Sequence, residues 1–148
     1  MRGIVMRYGN RPNNNRGINA AEELRRKIQS SPISEIGLKD LVKPKGYAYN
    51  IARDLKLTKV QVRKIYAEFK GIYEALKRNG WKFDEDILTR LYMLYPIIEY
   101  QKNRKVLNED FANLITALIE NVEKFPNRKN VETAERFFTA IVAYITKD

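Results

Sequence analysis

From Leu57 to Arg78 the apolar side chains return every three or four residues, a spacing that only an amphipathic helix turns into one surface. At roughly 100° per residue, Val62, Ile65, Phe69, Ile72 and Leu76 fall within about 80° of one another. Thr58 followed by Gln61 is a capping box, in which each side chain satisfies an otherwise orphan backbone donor. Asn79-Gly80 then stops the helix, with Gly80 placed for the left-handed position after the last turn. A helix this long and this one-sided needs other elements to cover its apolar stripe.

Those elements read as helices too. Asn19 caps a short one to Gln29, with Glu22 and Glu23 in the first turn and Leu24 and Ile28 as its apolar pair. The stretches SSPISEIGLKD (30–40) and KPKG (43–46) hold two Pro and two Gly and read as a loop-rich connection. Tyr47 to Lys56 forms a second short helix, its inner face Ala48, Ile51, Ala52 and Leu55. Asp84, Glu85 and Asp86 open a helix running towards Tyr100, and the three carboxylates suit the positive end of its dipole better than a metal. Pro96 within that run predicts a kink or two abutting pieces. Asn108 caps a helix through Lys124, and a last helix spans Val131 to Thr146 with Phe137, Phe138 and Ile141 inward.

No stretch alternates with period two, so the expected class is all-α: a small bundle of about five to six helices. It forms one domain over residues 19–148, after a flexible basic arm at 1–18 that carries four Arg and no acid. Such an arm suits either an inert terminus or a segment that orders on phosphate.

Net charge is +10, and its distribution matters more than its size. Residues 1–74 hold 16 basic and 7 acidic side chains, whereas residues 75–148 hold 12 and 11. The excess points to an acidic partner met by the first half of the chain. Neither Cys nor His occurs, which removes thiol nucleophiles, disulfides, zinc fingers and imidazole chemistry together. No phosphate-cradling Gly loop is present and the serines stand in no motif, so neither an enzyme nor a bound cofactor or metal is expected. No apolar run approaches the length of a bilayer span, and a soluble cytoplasmic protein is expected.

The cations form two groups. Lys59, Arg63, Lys70 and Lys77 lie within about 40° of one another, a quarter turn from the apolar centre of the 57–78 helix, with Lys64 on a neighbouring stripe. Lys102, Arg104 and Lys105 follow the Pro96 helix, where QKNRK reads as a loop. Such a row is either a solvated flank or a surface against which a polyanion lies. Tyr66, Tyr73 and Tyr100 are near these charges, placed either to stack on bases or to pack inward. Residues 47–70 also fit a helix-turn-helix, whose second helix would enter a DNA major groove by its Thr58 to Arg63 end. Lys56 there replaces the usual turn Gly.

Three segments together resemble the small α-helical subunit of the type III-A CRISPR interference complex, the Csm small subunit. They are LTKVQVRKIYAEFKGI (57–72), LYMLYPIIEYQKNRK (91–105) and FFTAIVAYITKD (137–148), in that family's order and spacing. Two departures stand out: Asn103-Arg104 replaces the family's Gly-Arg, with Asn the next-best residue for the left-handed turn expected there, and Glu99 stands where a small residue is usual, at a place of expected close helix approach. The resemblance implies a non-catalytic subunit present in several stacked copies, beside backbone subunits and a large subunit. Its cations would hold the target RNA, paired to the guide RNA, by phosphates without reading bases. A helix-turn-helix DNA-binding regulator is the alternative.

Overall fold

The computed structural model describes residues 19–148, so the arm expected at 1–18 lies outside the described residues. The described chain is all-helical: α1 (Ala20–Lys27), α2 (Leu38–Val42), α3 (Tyr47–Asp54), α4 (Lys59–Arg78), α5 (Glu85–Asn103), α6 (Glu109–Lys124) and α7 (Arg128–Tyr144). Six of these have eight residues or more, matching the expected bundle. The connection expected to be loop also holds a 3-10 turn at Ile33–Glu35 and the five-residue α2. None of the described helices is long and apolar enough to cross a membrane.

Side chains open five of the helices. Asn19, Thr58, Asp84, Asn108 and Asn127 each accept a hydrogen bond from the N–H three residues on, and Thr58 completes its capping box with Gln61. Asn127 starts α7 earlier than the apolar pattern alone suggests. Gly80 takes φ 80°, as expected after α4. Pro96 sits inside one unbroken α5 rather than between two pieces. Its ring faces solvent, and its missing N–H leaves the Tyr92 carbonyl without its helical donor.

Short connections fold α4, α5 and α6 back on one another as successive antiparallel helices. Arg90 of α5 lies across Gly71 of α4, where a side chain would meet its guanidinium at 3.1 Å. α7 also runs antiparallel to α4, for Glu135 meets Lys70, Thr139 meets Tyr66 and Lys147 meets Lys59. Phe138 is the centre of the core: Phe69 of α4 and Phe111 of α6 lie 6.0 and 6.1 Å from its ring. Buried Asn121 and Asn130 fix the 28–34 connection, accepting from the Ile33 and Ser34 N–H groups while Asn121 donates to the Ile28 and Ser31 carbonyls. Their polar atoms thus replace water for a loop laid over the core.

Candidate nucleic-acid interface

The helix spacing placed Lys59, Arg63, Lys70 and Lys77 in one row, but their neighbours divide it. Lys70 Nζ lies 2.7 Å from Glu135 Oε2, and the Thr139 hydroxyl donates to the same oxygen at 2.9 Å. Glu135 is buried at 6% exposure, so its charge is answered from within the protein. That hydrogen bond holds the Lys70 ammonium above the ordinary lysine range, against a smaller opposing effect of burial. Lys77 sits 3.7 Å from Glu74 and 5.7 Å above the Tyr73 ring. Lys70 therefore clasps α4 to α7, and Lys77 lies at the far end of α4, about 27 Å from Lys59 along the axis.

Lys59, Arg63 and Lys64 are exposed on the first turns of α4 and have no ion pair among the described residues. Because α5 runs antiparallel to α4, its C-terminal cations come to this same end. Helix α5 continues through Lys102, which pairs with Glu99 at 3.4 Å, so this residue is helical rather than in a loop. Arg104 caps the helix, its guanidinium 5.6 Å above the exposed Tyr100 ring. Lys105 takes the left-handed turn with φ 61°, the position expected for Asn103, which instead belongs to the helix. Glu99 is exposed and occupies no close helix approach.

Three further cations gather at this end: Arg53 in the last turn of α3, Lys56 just after that helix, and Lys147 after α7. Arg53 lies over the Tyr49 ring at 4.6 Å. Lys56 was legible as a turn residue next to Lys59. Lys147 was not, because only the tertiary fold pairs its carbonyl with the Lys59 N–H at 2.9 Å. Asp148 adds an acid there, its main-chain oxygen accepting from Val60.

The aromatic residues divide likewise. Tyr66 packs on Phe138 at 5.2 Å and bonds Thr139 through its hydroxyl, and buried Tyr73 lies edge-on to Trp81 at 5.6 Å. Both serve packing. Tyr100, 62% exposed, is the tyrosine of the three left to meet a base. The acidic start of α5 acts as expected at a helix terminus, with Asp84 capping Ile87 N–H, and no metal-holding group occurs among the described residues.

α3 and α4 do form a helix, turn and helix, with Lys56 left-handed at φ 52°. Yet the start of α4, the part such a motif presents to a groove, has its Lys59 and Val60 N–H groups bonded to the main chain of Lys147 and Asp148. The 147–148 segment lies where a DNA backbone would approach.

Fold and surface together define a small all-helical protein with a set of exposed cations at one end of a bundle, Lys59, Arg63 and Lys64 at the start of α4 and Arg104 and Lys105 at the close of α5. The three segments 57–72, 91–105 and 137–148 meet at that end, as the start of α4 and the close of α5 and α7. Over residues 38–146 the chain matches the Csm2 type III-A family, and it belongs to that family, the small subunit of the type III-A CRISPR Csm complex. No curated protein and no solved structure is significantly similar to it.

Proposed function

We propose that this subunit holds the target RNA strand, paired to the guide RNA, through sequence-independent phosphate contacts made by Lys59, Arg63, Lys64, Arg104 and Lys105. The observation that carries this is the convergence of these five exposed side chains from two helices on one end of a rigid bundle. None of them except Arg104, which leans on Tyr100, has a side-chain partner among the described residues. Phosphate is the natural answer to such a set, since each contact releases counterions and needs no base geometry. Base pairing with the guide supplies sequence, so charge and shape suffice here. The protein acts without catalysis of its own, in the cytoplasm, in several stacked copies beside the backbone and large subunits. Lys70, Lys77 and Lys102, each already beside a carboxylate, contribute little.

The test is charge reversal in the assembled particle. Lys59→Glu with Arg63→Glu should abolish target-RNA retention while the particle still assembles. Unchanged retention would leave a purely structural packing role, and preference of the free protein for one palindromic DNA duplex would favour the helix-turn-helix reading.

A further inference from the structure

The chain enters the described fold at the end that carries the exposed cations. α1 runs parallel to α6: the Asn19 amide donates to Asp110 at the start of α6, at 3.4 Å, and Asn121 near the close of α6 donates to the Ile28 carbonyl. α6 itself starts no more than five residues after Arg104 and Lys105. Residues 1–18, which lie outside the described residues, are therefore tethered at Asn19 to this end of the bundle. The end that holds Lys77 and Lys124 is the opposite one.

Their composition is unlike that of the rest of the chain. Arg2, Arg7, Arg11 and Arg16 stand among them with no acid, and supply four of the chain's net +10 charge. Every cation in the segment is Arg, whereas residues 19–148 use more Lys than Arg. A guanidinium is the better fork for phosphate, bonding two oxygens at once where an ammonium acts as a point charge. The four recur every four or five residues, and three Gly, Pro12 and three consecutive Asn share the segment with them. Arginine-rich segments of this kind are a recurrent means of binding RNA. Eighteen residues reach at most about 60 Å from Asn19, twice the roughly 30 Å length of α4, the longest helix.

We infer that Arg2, Arg7, Arg11 and Arg16 bind phosphates of the same RNA strand where it runs on past the rigid end of the bundle. This rests on the proposed function and adds a second part to its site. The exposed side chains of α4 and α5 hold a fixed stretch of backbone, and the N-terminal segment lengthens the hold only where more strand is present. Glu109 and Asp110, exposed at the start of α6 with no ion pair among the described residues, are the rival partners within the chain. A long strand presents many more charges than these two carboxylates.

Salt titration on two lengths of RNA tests this, with the wild-type full chain and a quadruple variant, Arg2→Gln, Arg7→Gln, Arg11→Gln and Arg16→Gln. A strand of about 6 nucleotides is filled by the rigid set, and one of about 20 runs beyond it. On the short strand the two proteins should share one slope of log affinity against log salt. On the long strand the wild-type slope should be steeper than the variant's by about 2 to 3, since each single-strand contact contributes roughly 0.7. Extra binding registers on a longer strand raise both affinities equally and leave the slopes alone. Helical circular dichroism should be the same for both proteins. Equal slopes on the long strand would overturn the inference, whether the segment is inert or is held by Glu109 and Asp110. A difference already complete on the short strand would overturn it too. Lys59→Glu with Arg63→Glu reads the rigid set separately: the proposed function requires that it flatten the slope on both lengths, whatever the quadruple variant does.

Discussion

Lys70 and Arg63 occupy the same stripe of one helix but differ in what each faces. Lys70 faces Glu135, a buried carboxylate that would otherwise lack its charged donor. Lys70→Ala should lower stability by about 1–2 kcal/mol, a modest value because the ammonium itself is partly hydrated. It should change RNA binding little. Lys59→Glu and Arg63→Glu should do the reverse, holding stability within about 0.5 kcal/mol while removing binding. Denaturant unfolding beside RNA titration separates the two. The pair also has a pH signature. The Lys70 pKa is raised on folding, from an ordinary 10.5. Its stabilisation is therefore complete below that value and lost as pH rises through the folded pKa. Unfolding of wild type and Lys70→Ala should converge in strong alkali. None of this was legible in the sequence, where Glu135 stands 65 positions away and periodicity speaks only of one helix at a time.

At the scale of the element, the legible features were those whose causes are local. Thr58 with Gln61, Asn19, Asn108 and Gly80 mark helix ends through bonds and backbone angles set within a few residues. α2 escaped because five residues carry too little periodicity to stand out beside Gly37 and Pro44. The turn after α5 was misplaced by residue preference: Asn tolerates left-handed backbone better than Lys, yet Lys105 takes it. Buried Leu107 sets the register, with the Val106 and Leu107 N–H groups both bonded to the Gln101 carbonyl. Lys56 bears the same strain at φ 52°. Lys56→Gly should stabilise the protein by about 0.5–1 kcal/mol in thermal or denaturant unfolding, since glycine reaches that conformation without steric cost.

For the whole molecule, the decisive fact is which ends meet. Charge asymmetry and the missing Cys and His made a polyanion the expected partner. The residues proposed to meet it could be grouped only in three dimensions, because antiparallel packing carries Arg104 and Lys105 to the start of α4 and leaves Lys77 at the opposite end. Five phosphate contacts imply a slope of log affinity against log salt near about −3 to −4, or roughly 100-fold weakening between 50 and 200 mM. The most direct measurement is that titration on several RNA sequences of one length, for wild type and for Lys59→Glu with Arg63→Glu. The account predicts equal affinities across sequences, the steep slope for wild type, and a flattened slope with weakened binding for the variant. A shallow slope in wild type, or one the variant leaves unchanged, would contradict it.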